Sequence, residues 1–328
     1  MMAGSMRTTR ALTAVCAAAV LLAGTACSSG TKTSPSSSSS GSAAASPSAS
    51  VSPSNAPKLP VAATINAWGS IATQLGGDRI QETSIITNPD TDPHDYEPAT
   101  GDGRTIADAQ VVVENGIGYD AWADKLIAAN PNANRIVVNV GQTVGVPDDG
   151  NPHQWYSPDS VTKVANAITA AYKKADPNDA AYFDQQNQQF LNQGLANYHQ
   201  LISDIKGKYA GTPVGASESI VSPMSDALGL NMLTPYSFLK AIAEGTDPSP
   251  ADKATVDQQI STKAIKVFVF NAQNSTPDVQ ALVDAAKKQN IPVSTVTETL
   301  SPANASFQDW QTAQLTSLEN ALHTATGK

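Results

Sequence analysis

The chain has 328 residues, of which 41% are hydrophobic and 15% are charged, and its formal net charge is −9. This length is sufficient for two compact domains. Because the chain is acidic and lacks a cluster of basic residues that would neutralise phosphates, its composition argues against nucleic acid as a partner.

The first 26 residues have the layout of a secretory signal. Arg7 and Arg10 precede an apolar run at residues 11–23, and small residues at 24–26 lie directly before Cys27. The run is too short and wrongly flanked for a stable membrane span. The order resembles a bacterial lipobox, although Gly24 stands where leucine is usual, and predicts acylation of Cys27. Ordinary secretion with an incidental cysteine is the alternative.

Residues 27–59 form a polar segment that is rich in Ser, Ala and Pro and contains only two charged residues, Lys32 and Lys58. Such a composition cannot bury enough apolar surface to offset its ordering entropy. We therefore predict a disordered tether that follows the lipidated cysteine. The folded part is expected outside the cytoplasm, anchored to the cell membrane by an N-terminal lipid.

Short apolar runs alternate with helical patterns through the rest of the chain. An N-terminal lobe is predicted at residues 60–175, with strands at 60–67, 79–87, 111–114 and 135–140 and helices at 104–109 and 119–129. A C-terminal lobe is predicted at residues 211–328, with strands at 213–216, 231–234, 265–270 and 292–297 and helices at 224–228, 250–261, 278–289 and 307–324. This alternation predicts an α/β fold of two Rossmann-like lobes with parallel sheets.

Residues 176–210 separate the two lobes and have the composition of a helix. Asp176-Pro177 provides a start signal, no proline follows, and Gly211 lies just beyond the end. At 1.5 Å per residue, an unbroken helix of this length would be a rigid link of about 50 Å.

Two of the four histidines lie in closely similar sequence frames, Asp92-Pro93-His94 and Asn151-Pro152-His153. In both frames a proline fixes the backbone just before the imidazole. Imidazole is the commonest protein ligand of borderline divalent metals, so the repeated frame predicts a prearranged metal site. The alternative is that two loop histidines merely bond backbone carbonyls.

Ligands of parallel sheets bind at the carboxyl ends of the strands. His94 and His153 follow two predicted strands of the first lobe, while residues 217–219 and 271–275 follow two strands of the second. Two loops from each lobe therefore predict a site in the cleft between the lobes.

The segments 92–98, 112–118 and 151–155, together with the turn at Ser217-Glu218, resemble the substrate-binding lipoproteins of zinc and manganese ABC importers, the cluster A-I or zinc-uptake-type family. The resemblance covers nearly all of the chain after the tether. It implies a metal held between two lobes that a long helix bridges. It also implies that His94, His153 and Glu218 are ligands.

The fourth ligand position departs from the family pattern. Relatives often place an aspartate a few residues after the strand that here ends at Phe270, and by register the residue in this chain is Ser275. Asn274 is the nearest amide that could replace it, and Gln273, Asp278 or a water are further alternatives. The expected metal ligands are therefore His94, His153, Glu218, Asn274 and Ser275.

Two imidazoles and a carboxylate suit zinc, manganese or ferrous iron, whereas copper(I) prefers softer ligands and calcium prefers oxygen throughout. We expect zinc or manganese as the bound ion and an ABC-type permease in the membrane as the partner. The favoured function is metal capture and delivery by a monomeric lipoprotein that is not an enzyme. The alternatives are an exported metal-dependent hydrolase and an adhesin-like lipoprotein with a structural metal.

Overall fold

The computed structural model describes residues 57–90 and 92–328. The predicted signal peptide, Cys27 and nearly all of the predicted tether lie outside the described residues. The described part contains two four-stranded sheets whose strands are all parallel. The α/β fold class predicted from the sequence is confirmed.

The first sheet has the strand order β2-β1-β3-β4. Its strands are β1 (Leu59–Ile65), β2 (Ile80–Ile86), β3 (Val111–Glu114) and β4 (Ile136–Asn139). The helices of this lobe are α1 (Asn66–Gly76), α2 (Thr100–Asp108), α3 (Ala121–Ala129), α4 (Val140–Val144) and α5 (Pro158–Ala175). The sequence prediction omitted α1, α4 and α5.

The second sheet repeats this arrangement in the order β6-β5-β7-β8. Its strands are β5 (Pro213–Ala216), β6 (Asn231–Met232), β7 (Val267–Asn271) and β8 (Val293–Val296). Its helices are α8 (Ser222–Leu228), α9 (Tyr236–Ala243), α10 (Pro250–Ser261), α11 (Pro277–Lys288) and α12 (Phe307–Thr326). Helix α9 was not predicted.

The segment between the lobes is helical but not uniform. It comprises α6 (Ala180–Gln189), a π turn at Phe190–Gly194 and α7 (Ala196–Tyr209). The backbone N–H of Leu195 donates to the carbonyl of Phe190, five residues earlier, at 2.9 Å. The long helix is thus present, and a wide turn replaces the unbroken α-helix that the sequence suggested. Helix α6 packs on α5 of the first lobe, and α7 packs on α8 and α12 of the second.

Direct hydrogen bonds also join the lobes on the side of α1. The backbone N–H of Leu300 donates to Asn66 Oδ1 at 3.1 Å, and the backbone N–H of Phe307 donates to Ser70 Oγ at 2.9 Å. One buried apolar cluster extends through both lobes and includes Trp68 and Trp155, whose rings meet edge to face at 6.3 Å. The lobes therefore share a core in addition to the connecting helix.

Glu114 is a buried carboxyl at the end of β3 whose titration should make folding depend on pH. It is 5% exposed and accepts a hydrogen bond from Asn139 Nδ2 at 2.8 Å. Burial raises the pKa of this carboxyl from 4.5 to about 7. The folded chain therefore keeps a proton that the unfolded chain has already lost, so stability falls as the pH rises between these two values.

We predict that Glu114→Gln raises the free energy of unfolding above pH 7 by roughly 2 to 3 kcal/mol, because the amide keeps the acceptor without the charge. Urea unfolding from about pH 5 to about pH 8 measures this, with the exposed Asp108→Asn as the matched control. Parallel pH curves for the wild type and Glu114→Gln would contradict the assignment.

Candidate metal centre

Four side chains meet at the junction of the lobes, and one potential ligand atom from each lies within 4.8 Å of the others. They are His94, His153, Glu218 and Glu298. The histidines follow β2 and β4 of the first lobe, and the glutamates follow β5 and β8 of the second. Each lobe therefore supplies two of the four groups.

The spacing of the ligand atoms suits a small divalent cation. The two Nε2 atoms of His94 and His153 are 3.3 Å apart. Glu298 Oε2 lies 3.6 Å from His94 Nε2 and 3.5 Å from His153 Nε2. A tetrahedral ion with bonds of about 2.0 to 2.2 Å separates its ligand atoms by about 3.3 to 3.6 Å, so these three atoms already have the required spacing.

The loop before His94 is shaped by the Asx-Pro frame. Asp92 Oδ1 accepts a hydrogen bond from the backbone N–H of His94 at 2.9 Å, which closes a short 3-10 turn at Pro93–Asp95. The imidazole then packs edge to face on Tyr119 with 4.7 Å between the ring centroids. The side chain of His94 is 18% exposed, whereas those of His153 and Glu298 are fully buried.

The second frame fixes the tautomer of His153. Asn151 Nδ2 donates to the carbonyl of Ser219 at 2.7 Å, so Asn151 Oδ1 is the atom that faces His153 Nδ1, at 2.9 Å. Nδ1 therefore carries the hydrogen, and the lone pair of Nε2 points into the group of four. An outer hydrogen bond of this kind is usual for imidazoles that bind metals.

The two glutamates share the amide of Asn271. Asn271 Nδ2 lies 3.1 Å from Glu218 Oε1 and 2.9 Å from Glu298 Oε1, and Tyr119 donates its hydroxyl hydrogen to Glu298 Oε2 at 2.8 Å. Glu218 Oε2 is buried and has no hydrogen-bond partner among the described residues. A buried carboxylate oxygen without a partner is costly, and a cation bound by the four residues would satisfy it.

Electrostatics in the group favour neutral imidazole and a proton held by Glu218. Burial lowers the pKa of His94 below its ordinary value. Burial, together with the charge of Glu298, raises the pKa of Glu218 well above its usual range. The same two effects raise the pKa of Asp92, behind His94, to about 6. A divalent cation would compensate the carboxylate charge and displace the proton from Glu218.

The structure does not bring Asn274 or Ser275 into this group. Asn274 is buried, but its Nδ2 donates to the carbonyl of Ile242 at 3.1 Å, and Ser275 is exposed. Of the other two candidates, Asp278 is exposed and lies 3.5 Å from Lys253. The side-chain oxygen of Gln273 accepts the backbone N–H of Glu298 at 2.7 Å, so it supports the fourth group without joining it.

The sequence prediction did not include Glu298, which is the fourth member of the group. It lies two residues beyond β8, in Thr297-Glu298-Thr299. The rule that sites form at the carboxyl ends of parallel strands applies to β8 as it does to β7, and it would have identified this carboxylate. The family pattern places the fourth ligand after β7 instead, so the prediction considered only residues that follow that strand.

A group of metal-binding side chains between two parallel α/β lobes, joined by a long helix, defines the class of two-lobe binding proteins. A family model described as "Zinc-uptake complex component A periplasmic" matches residues 61–321. The chain belongs to this family.

Known proteins are similar to this chain in sequence or in fold. The manganese ABC transporter substrate-binding lipoprotein PsaA of Streptococcus mitis is 25% identical over 259 residues, which are 73% of this chain and 80% of the relative. A Treponema pallidum protein named as metal-binding is 28% identical over 178 residues, or 48% of this chain and 54% of that protein. The solved manganese-bound periplasmic metal-binding protein of Candidatus Liberibacter asiaticus is 19% identical, with a TM-score of 0.66 over 80% of this chain and 98% of that chain.

The family and the substrate-binding function predicted from the sequence are confirmed. The comparisons support this function in preference to the hydrolase and adhesin alternatives. The two Streptococcus relatives, from S. mitis and S. pneumoniae, are named as transporter substrate-binding lipoproteins and not as enzymes. Within residues 57–90 and 92–328, no helix has the length and apolar character needed to cross a membrane.

We predict that Glu298→Ala weakens zinc binding by more than the roughly 10- to 100-fold that follows the loss of an outer hydrogen bond, because it removes one of the four candidate ligands. Competition with a chromogenic chelator measures the affinity, and circular dichroism checks the fold. Ser275→Ala is the matched control and should bind as the wild type does. A strong effect of Ser275→Ala with a weak one of Glu298→Ala would restore the ligand set predicted from the sequence.

Proposed function

We propose that this protein captures zinc or manganese outside the cytoplasm and delivers the ion to an ABC permease. His94, His153, Glu218 and Glu298 bind the ion at the lobe junction. The observation that carries the proposal is that these side chains bring one potential ligand atom each within 4.8 Å of the others, while the buried Glu218 Oε2 lacks a partner among the described residues.

The donor atoms limit the choice of ion. Two imidazole nitrogens and two carboxylates suit zinc and manganese, whereas copper(I) requires sulfur ligands and calcium requires six or more oxygens. The family is described by zinc uptake, and the Streptococcus mitis relative is named for manganese. Both ions therefore remain as candidates for this chain.

Reversible capture fits the site better than a structural or catalytic metal does. The fold has a large apolar core apart from the four polar groups, so it does not depend on the ion as a small metal-stabilised domain would. A catalytic zinc site leaves one position open for water, but here four protein groups are available to fill a tetrahedral site. The partial exposure of His94 gives the ion a route to solvent.

We further propose that the chain is a monomer attached to the membrane through acylated Cys27, with residues 27–59 as a tether. The order of a basic segment, an apolar run, small residues and a cysteine supports the lipid anchor. The name of the Streptococcus mitis relative as a lipoprotein supports it as well. This arrangement keeps the binding lobes close to a permease in the same membrane.

Elemental analysis of protein purified without added metal tests the binding proposal. We expect about one equivalent of zinc or manganese per chain, in line with the one four-residue group found within residues 57–90 and 92–328. After treatment with a chelator, the apo protein should keep its circular dichroism spectrum and cooperative unfolding. His94→Ala should lose the ion, whereas His199→Ala, which alters an exposed histidine of α7, should retain it.

Other outcomes would favour the other function classes. Unfolding on metal removal would indicate a structural metal, and turnover of ester or amide substrates by the loaded protein would indicate a hydrolase. Delivery is tested in cells: the His94→Ala chain should fail to restore uptake of the radioactive ion to cells that lack the wild-type protein. Full restoration by that variant would contradict delivery from this site.

The lipid anchor is tested with Cys27→Ser. The wild type should incorporate a labelled fatty acid and partition into the detergent phase, because an acyl chain adds a large apolar area. The variant should lose the label and remain in the aqueous phase. Labelling that persists in Cys27→Ser would exclude acylation at this cysteine.

A further inference from the structure

Asn271 is a fully buried amide that lies between the two carboxylates of the candidate metal centre. It is the last residue of β7. Its Nδ2 is 3.1 Å from Glu218 Oε1 and 2.9 Å from Glu298 Oε1. An amide nitrogen carries two hydrogens, so it can donate one to each carboxylate.

The orientation of this amide is determined by its other contacts. Asn271 Oδ1 accepts the backbone N–H of Gln273 at 3.0 Å, and the backbone N–H of Asn271 donates to Ser217 Oγ at 3.0 Å. Rotation of the amide by 180° would lose the bond to Gln273 and place Oδ1 against two carboxylate oxygens. Both hydrogens of Nδ2 therefore point at the glutamates.

Each carboxylate consequently has one oxygen held by Asn271 and the other directed elsewhere. Glu298 Oε2 accepts the Tyr119 hydroxyl hydrogen and lies 3.5 and 3.6 Å from the two imidazole Nε2 atoms. Glu218 Oε2 has no partner among the described residues. Asn271 holds both Oε1 atoms, Glu298 Oε2 faces the two imidazoles, and Glu218 Oε2 lacks a partner among the described residues, so the Oε2 atoms are the ones placed to bind an ion.

We infer that Asn271 is a positioning residue that restricts Glu218 and Glu298 to one ligand oxygen each and thereby favours a four-coordinate ion such as zinc over manganese. The inference rests on the proposed function and refines its choice of ion. Two single oxygens and two imidazole nitrogens give a coordination number of four, which is the usual number for zinc bound by protein side chains.

Loss of the amide would change the number of oxygens available. A carboxylate without a hydrogen bond at Oε1 can turn and bind an ion through both oxygens. Two such changes would raise the coordination number to six, which suits larger ions that prefer oxygen ligands. The amide therefore acts on selectivity through the geometry of the carboxylates, without touching the ion.

The test substitutes Asn271→Leu, which keeps the branching of the side chain at Cγ and removes both donors. The matched control is Asn274→Leu, because Asn274 is also buried in this loop but bonds the carbonyl of Ile242. Cobalt(II) is the spectroscopic probe, since its visible absorption is intense when four-coordinate and weak when six-coordinate. Zinc and manganese affinities are measured by chelator competition.

We expect intense cobalt absorption for the wild type and for Asn274→Leu, and weaker absorption for Asn271→Leu. The ratio of zinc to manganese affinity should fall by about 10- to 100-fold in Asn271→Leu alone, the range typical for loss of an outer hydrogen bond. If Asn271→Leu does not fold by circular dichroism, Asn271→Ser and Asn274→Ser are compared in the same way.

Three results would overturn the inference: weak cobalt absorption in the wild type, an unchanged spectrum and affinity ratio in the Asn271 variant, or the same change in the Asn274 control. A wild-type protein that binds neither zinc, manganese nor cobalt would instead overturn the proposed function, so the two failures are distinguishable.

Discussion

The fold holds two buried carboxylates opposite two imidazoles at the junction of its lobes, and burying these carboxylates costs free energy. Removing a carboxylate from water costs several kcal/mol unless hydrogen bonds and opposite charge compensate it. Asn271 and Tyr119 supply hydrogen bonds to Glu298, but Glu218 Oε2 has none from the described residues. The remaining compensation is a positive charge. Burial and the neighbouring charge of Glu298 raise the pKa of Glu218. A divalent ion suits the site because it would supply the positive charge that these buried carboxylates lack.

The loops that carry these groups are held by contacts across the junction. Asn151 of the first lobe donates to the carbonyl of Ser219 of the second, and Tyr119 of the first lobe donates to Glu298. On the side of α1, Asn66 accepts the backbone N–H of Leu300. These bonds, the shared apolar core and the connecting helix oppose a wide opening of the lobes. Relative motion is therefore expected to be small and to depend on breaking a few polar contacts.

The sequence predicted all eight strands from the alternation of short β-prone runs with helical patterns, and it predicted the loop histidines from their repeated Asx-Pro frame. Helix α1 was missed because it follows β1 directly, with no side-chain cap that would signal its start. Helix α5 does carry such a signal, Ser157 followed by Pro158, and could have been predicted from the sequence. The roles of Asn271 and Tyr119 could not be predicted, since they depend on contacts between residues far apart in the chain, such as the pairing of Tyr119 with Glu298.

The division of the four candidate ligands between the lobes would link binding to conformation. Each lobe holds two of the four groups, so either lobe alone offers half of the coordination that the two lobes offer together. An ion that binds all four groups stabilises the arrangement in which the lobes hold those groups together, by the difference between its affinity for that arrangement and its affinity for one with the lobes apart. The same relation means that any partner that separates the lobes weakens the hold on the ion without unfolding either sheet. A permease that binds both lobes could therefore trigger release by a small displacement, because the ligand atoms of His153 and Glu298 need to move apart by only a few ångströms before one ion cannot bridge them.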